Sequence, residues 1–378
     1  MATLYVHIPF CKKACHYCNF HFSTSLKNKE ELIDALCIEL KHKKEFVGVD
    51  ETITSIYFGG GTPSILSTTE LDKIINIISK NYHVESSAEF TIECNPDDIN
   101  DDLLKHYSSA GVNRLSIGVQ SFDDMDLLVL NRSHAAQQAI DAINQAASHG
   151  FKSLTIDLMY GLPNQTKSKW LKNLELASAL PINHISCYNL TVEEKTALRK
   201  LIQDKKIAST EEIESAEQFE ILMEWASEQG FEHYEISNFA RNGNYSQHNS
   251  AYWRGSKYIG VGPSAHSFDG FSNRYYNIAN NAEYIRNIKS GDGYYEIEAL
   301  EEHSIYNEYV LTRLRTIWGI NAEELKSRFG KLKEEYFLKN IDAFVKDGHI
   351  TYDGSKYCLS NSGKLIADHI SSELFLFS

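Results

Sequence analysis

No stretch of this 378-residue chain approaches the roughly 18 uninterrupted apolar residues that a membrane-spanning helix needs. The N-terminus also lacks the apolar core of a signal peptide. Both absences predict a cytoplasmic protein, where thiols stay reduced. A basic excess is missing too: 37 Lys and Arg stand against 51 Asp and Glu, a net charge of −14. That balance argues against a broad nucleic-acid-binding face. Cysteines are few and odd in number, seven in all, so metal binding is a better reading than a disulfide framework. No Gly-x-Gly-x-x-Gly follows a strand-like run, which disfavours a dinucleotide-binding sheet. Internal repeats and low-complexity linkers are absent as well. What remains is ordinary for a soluble globular chain, with 42% hydrophobic and 23% charged residues. The length predicts one large domain and a smaller one.

Short apolar runs alternate with helix-like stretches in the first half. Strands are expected at 4–8, 53–58, 89–94, 114–119, 153–158 and 184–190, with helices at 28–46, 68–80, 100–109, 135–149 and 166–179. Near-continuous apolar strands separated by helices predict a parallel sheet covered by helices. A doubly wound sheet and a barrel both fit. A polar, Glu-rich helical stretch follows at 205–230. Residues 231–300 read as an irregular segment dense in Gly, Asn, His and aromatics, of the kind that carries function. From about 301 the pattern changes to helices at 305–317, 321–328 and 333–347, a hairpin around Asp353-Gly354, and a last helix at 362–374. This predicts a winged-helix-like α+β domain over 301–378. Its ten Lys and Arg against twelve Asp and Glu suit a cap or partner module better than a DNA reader.

Three of the seven cysteines fall within eight residues, in "YVHIPFCKKACHYCNF" (5–20). Cys11, Cys15 and Cys18 form Cys-x-x-x-Cys-x-x-Cys, a spacing that lets one loop turn three soft thiolates toward a common centre. With His16 or His21 as a fourth ligand the centre could be zinc. With three thiolates alone, a four-iron cluster keeps one iron free of protein. Phe20 closes the run as a hydrophobic shield and adds no ligand.

This motif after a first strand resembles the radical S-adenosylmethionine superfamily. The longer run is similar to its branch of oxygen-independent coproporphyrinogen III oxidases and their relatives. The resemblance implies a partial (β/α)6 TIM-like barrel over 1–230, a 4Fe–4S cluster on Cys11, Cys15 and Cys18, and bound S-adenosylmethionine. It places Tyr5 and Tyr17 beside that cosubstrate. "GGGTP" (59–63), not a Walker loop because no Gly-Lys-Ser/Thr follows, resembles the motif for the methionine amino group, with Gly60, Gly61 and Thr62 in contact. Glu93, Gln120 and Asp157 are expected at the ends of strands three, four and five, where a parallel barrel carries its function. Together with Arg132 in "LNRSH", the family lines its S-adenosylmethionine pocket with these positions. An acid there suits ribose hydroxyls or an ammonium group, and the guanidinium suits a carboxylate.

Within the branch, two features depart from the oxidases. They carry a further cysteine two residues after the third ligand, where this chain has Phe20. "HNSAYW" (248–253) matches the HNxxYW motif of HemW-type haem chaperones, and "LRTIWGI" (314–320) resembles their C-terminal region. The chain also starts almost at its first strand, without the oxidases' longer leading arm. The resemblance therefore implies a chaperone that binds haem and passes it to acceptor proteins, respiratory ones among them. The alternative is oxidative decarboxylation of coproporphyrinogen III, so enzyme or binding protein stays open. His248 reads either as a core histidine or as a haem-iron ligand walled by Tyr245, Tyr252 and Trp253. His7, His134, His233 and His266 carry no assignment. Cys37, Cys94, Cys187 and Cys358 read as small buried hydrophobes. A homodimer is compatible with the sequence.

Overall fold

The computed structural model describes residues 1–48 and 51–377. Residues 49, 50 and 378, which fall within the predicted units 1–230 and 301–378, lie outside the described residues. Six strands run in parallel and in sequence order: β1 (Ala2–Ile8), β2 (Thr52–Gly60), β3 (His83–Cys94), β4 (Arg114–Gln120), β5 (Ser153–Tyr160) and β6 (His184–Asn189). Helices Lys29–His42, Thr68–Asn81, Asp101–Ser109, Ala136–Ser148 and Lys167–Ser178 return the chain between them. Local chemistry sets these helices: Ser67 caps Thr68–Asn81 through a reciprocal box with Glu70. The sheet does not close on itself, so the barrel is partial, as expected.

The strands are less uniformly apolar than their runs suggest. Side chains alternate across a strand, and here one alternate set is polar and faces the lumen. Leu4, Val6 and Ile8 pack in the main core under the helices. Their neighbours Tyr5 and His7 meet inside, where the Tyr5 hydroxyl lies 3.0 Å from His7 Nδ1. Across the lumen, Tyr57 Oη donates to Glu93 (2.8 Å), Ser116 Oγ to Asp157 (3.4 Å) and Arg114 to Thr155 (2.8 Å). A barrel wall that buries apolar groups outward and polar groups inward is built to hold a polar ligand.

Residues 231–300 are not irregular. They extend the sheet at both ends, giving the order β12-β11-β10-β9-β1-β2-β3-β4-β5-β6-β8-β7. The added strands are β7 (Glu232–Glu235), β8 (Asn238–Ala240), β9 (Lys257–Val261), β10 (His266–Phe268), β11 (Asn273–Asn277) and β12 (Tyr295–Ala299). β9 lies parallel to β1, while β10, β11 and β12 continue antiparallel. Helix Gln247–Trp253 packs on the lower end of the lumen: Glu89 accepts from the backbone N–H groups of Gln247 and His248 at its start, each at 3.0 Å. The turn between β9 and β10 rests on a buried ion pair, with Lys43 Nζ 2.8 Å from Glu39. Glu39 also accepts from Gly262 N–H (2.7 Å) and Asn277 Nδ2 (2.7 Å).

The C-terminal unit has a hydrophobic core of its own around Tyr306, Phe337 and Ile341. Helices Glu302–Leu314, Ala322–Phe329 and Lys331–Lys346 pack with a three-stranded sheet of β13 (Ile320–Asn321), β15 (Lys356–Leu359) and β14 (Ile350–Tyr352). The predicted hairpin turns at Gly354, whose φ of 92° favours glycine. The predicted last helix is broken into Asn361–Leu365 and Ala367–Glu373.

Candidate functional site: the cysteine cavity

Every strand of the parallel set ends at one mouth, and the cysteine loop lies across it. The loop leaves β1 through Phe10 and returns at Ser23, where Cys11 N–H donates to Ser23 O (3.0 Å) and Ser23 N–H to Pro9 O (2.8 Å). Asn131 Nδ2 holds its middle by donating to Ala14 O at 2.7 Å. Gly61 must be glycine, since a Cβ there would stand 2.7 Å from Phe10 O. The glycine triplet therefore also works inward, letting the end of β2 press against the base of the cysteine loop.

A cavity of about 430 Å³ opens under the loop, and Cys11, Cys15 and Cys18 all line it. All three are free and half-buried. Burial pushes the Cys11 thiol up to about 11 and raises that of Cys18. Such thiols ionise readily only when a cation meets them. Neither histidine offered as a fourth ligand faces this cavity. His16 Nδ1 is engaged with Val129 O at 2.8 Å, and His21 Nε2 with Asn281 Oδ1 at 2.7 Å. Among the described residues, no three His, Cys, Asp or Glu side chains are set to hold a single metal ion. Neither histidine therefore completes a four-ligand zinc site with these thiols.

The opposite wall carries Gly60, Gly61, Thr62, Glu93, Gln120, Arg132 and Asp157, with Tyr17 beside the cysteines. Sequence reasoning thus brought together residues up to 146 positions apart (Cys11 and Asp157). Gln120 ends β4 with φ 68°, a left-handed conformation rare outside glycine and typical of strained functional positions. Arg132 Nη2 donates to Gly118 O (2.6 Å) and Asn95 Oδ1 (2.9 Å), and Nη1 reaches Cys15 Sγ at 3.4 Å. Its buried Nε has no partner. Asp157 is not at the strand end. It lies three residues before the end of β5, in register with Ser186, and so forms the floor.

Several wall residues escaped the sequence reading, Asn95 and Tyr188 among them. Both sit on lumen-facing positions at strand ends, Asn95 two residues after Glu93, a spacing that could have found it. Two assigned residues lie elsewhere. Tyr5 lines a second cavity, about 390 Å³, on the β9 side of the mouth. His248 lines neither: it is 1% exposed inside the lumen, with Nδ1 2.8 Å from Ser55 Oγ and Nε2 without a partner. Burial lowers its pKa to about 3. Of the aromatics near it, Tyr252 reaches the second cavity. Trp253 instead lies under Arg315, and Tyr245 packs on Tyr234 and Trp318.

A partial parallel barrel with three free thiols at its mouth is the architecture of a radical SAM protein. The family model of the Radical SAM superfamily matches residues 5–177, and that of the HemN C-terminal domain matches 300–366. Heme chaperone HemW of Bacillus subtilis is 32% identical over 373 residues, covering 98% of each chain. HemW of Lactococcus lactis is 29% identical and covers 99% of this chain and 97% of its own. A zebrafish mitochondrial radical S-adenosyl methionine domain-containing protein 1 is 39% identical over 70% of this chain and 60% of its own. Among solved structures, coproporphyrinogen III oxidase HemN of Escherichia coli superposes with a TM-score of 0.86, covering 100% of this chain and 90% of that one at 24% identity. At that identity the likeness is one of fold. The chain belongs to the radical SAM superfamily, in the HemW family of its HemN-like branch.

The two buried acids make the cavity pH-sensitive. Burial, then the nearby Asp157 charge, pushes Glu93 up to about 7 against the hydrogen bonds from Tyr57 and Gly60. Burial pushes Asp157 up to about 6. At these two positions the folded protein holds protons that the unfolded chain releases, so their contribution to stability is fullest below the ordinary carboxylate range and is lost as pH rises through about 6 to 7. A cationic ligand favours the ionised acids. S-adenosylmethionine, with its sulfonium and ammonium, is expected to bind about tenfold or more tightly at pH ~8 than at pH ~5.5, with proton release seen by calorimetry in two buffers. Glu93→Gln should flatten much of that dependence. Affinity independent of pH would place the cation away from both acids.

Proposed function

We propose that this protein is a cytoplasmic haem chaperone that holds a 4Fe–4S cluster and S-adenosylmethionine and passes haem to acceptor proteins, respiratory haem proteins among them. Cys11, Cys15 and Cys18 would hold the cluster. A bound four-iron cluster supplies one iron without a protein thiolate. Glu93 and Asp157 would pair with positive or hydroxyl groups of the cosubstrate, Arg132 with its carboxylate, and Gly60, Gly61 and Thr62 would edge its amino group.

The observation that carries the reading is Phe20. Where the oxidases have a further cysteine, this chain places an aromatic ring that is 70% exposed and lines both the cysteine cavity and the second one. An exposed ring at the junction of two cavities suits a flat apolar guest and supplies neither a thiol nor a proton. Full-length likeness to proteins named heme chaperones supports the same reading. Haemin added to the anaerobically reconstituted protein is expected to bind one per chain and to move to an apo-haem acceptor when one is supplied. Binding without saturation, or no transfer to any acceptor, would count against it.

A further inference from the structure

The second cavity has a makeup of its own. Phe20, Tyr252 and Tyr258 give it aromatic walls, the two tyrosine rings packed at a tilt of 57° with centroids 4.4 Å apart. It adjoins the cysteine cavity, since Phe20, Gly60 and Glu93 line both. Three imidazoles face it: His7, His21 and His266. Two are committed. His7 has its ring nitrogens 3.0 Å from the Tyr5 hydroxyl and 3.0 Å from His21 O. His21 is tied through Nε2 to Asn281.

His266 is different. It is exposed at the first position of β10, with its ring edge-on to Tyr276 at 4.5 Å, and no hydrogen bond acts on it. Its backbone, by contrast, is firmly placed. The preceding turn is held by Ala265 N–H to Gly262 O (3.1 Å), by Asn277 N–H to Ala265 O (2.9 Å), and from below by the Glu39–Lys43 pair. A fixed main chain that presents one uncommitted imidazole to an aromatic-walled cavity is how a protein holds a haem by a single axial bond.

We propose that haem docks in this second cavity with His266 as its axial ligand, packed against Phe20, Tyr252 and Tyr258. The assignment rests on the haem-chaperone reading above. It also gives the HNxxYW motif a role through its tyrosine: Tyr252 packs edge-on against the buried His248 at 5.2 Å and carries its own ring into the cavity. His248 then acts as the support beneath that wall. The cavity holds part of a macrocycle and leaves the rest at the mouth, an arrangement suited to handing haem onward.

The test titrates haemin into reconstituted wild-type, His266→Ala, His266→Gln and His21→Ala proteins and follows the Soret band. His266→Ala and His266→Gln should both shift the band and weaken binding by about tenfold or more, and added imidazole should restore the wild-type band in the alanine variant. Iron content and S-adenosylmethionine affinity should stay at wild-type level, which rules out a folding defect. His21→Ala should keep the wild-type band. If wild-type protein binds haem and the His266 variants keep its spectrum and affinity, the site assignment is overturned while the chaperone reading stands. If wild-type protein binds no haem, the chaperone reading itself fails and takes the assignment with it.

Discussion

Alanine at Cys11, Cys15 or Cys18 is expected to take the reconstituted protein from about four irons per chain to nearly none. The three thiols line one cavity, and among the described residues no histidine lines it to replace a lost ligand. Burial also makes Cys11 and Cys18 poor ligands on their own: Cys11, pushed up to about 11, gives up its proton only against the charge of bound iron. Losing one of three ligands therefore removes the offset for the other two. Cys37→Ala and Cys187→Ala should keep full iron and sulfide because those thiols are buried in the core, and so should Cys94→Ala, which borders the cavity but turns its buried Sγ to Ile92 O at 3.8 Å. Cys358→Ala should do the same from its half-buried place in the C-terminal unit. Full iron content in any one of the three loop variants would show that the cluster is held elsewhere. Stoichiometric zinc in native protein would show that the donor set had been misread.

The cysteine motif and the two acids on the strands were legible because each is local: a spacing of cysteines, or a polar residue inside an apolar run. Helices and strands of the barrel were legible for the same reason. The polar lumen was partly hidden, since Thr, Ser and Tyr at alternate positions of β1, β2 and β5 blur into a run that looks continuously apolar. The strands of 231–300 were not legible at all. β8 and β10 have three residues each, too few to show a period, and they are strands because β6 and β9 offer an edge. His248 was located as a motif but not in space. Its burial depends on Glu89, 159 positions earlier, capturing the start of its helix. The same holds for the mouth turn, whose anchor is Glu39, 223 positions before Gly262. Such pairings live in the tertiary fold and leave no trace in a window of sequence.

We propose that this barrel carries haem and does not decarboxylate coproporphyrinogen. Phe20 is the reason to expect so: the ring stands where the oxidases keep a cysteine, and it neither donates a proton nor takes an electron in the manner of a thiol. Aromatic walls, in turn, favour a guest that is held. Burial of even about 200 Å² of apolar macrocycle surface is worth on the order of 5 kcal/mol before ordering costs. Haem that gains this much in the second cavity stays bound between encounters with an acceptor. The direct test incubates anaerobically reconstituted protein with coproporphyrinogen III, S-adenosylmethionine and a reductant, and titrates haemin into a second portion of the same sample. The account predicts one haem per chain in the second portion and unchanged coproporphyrinogen in the first. Protoporphyrinogen IX accumulating over many turnovers, with S-adenosylmethionine consumed in step, would contradict it.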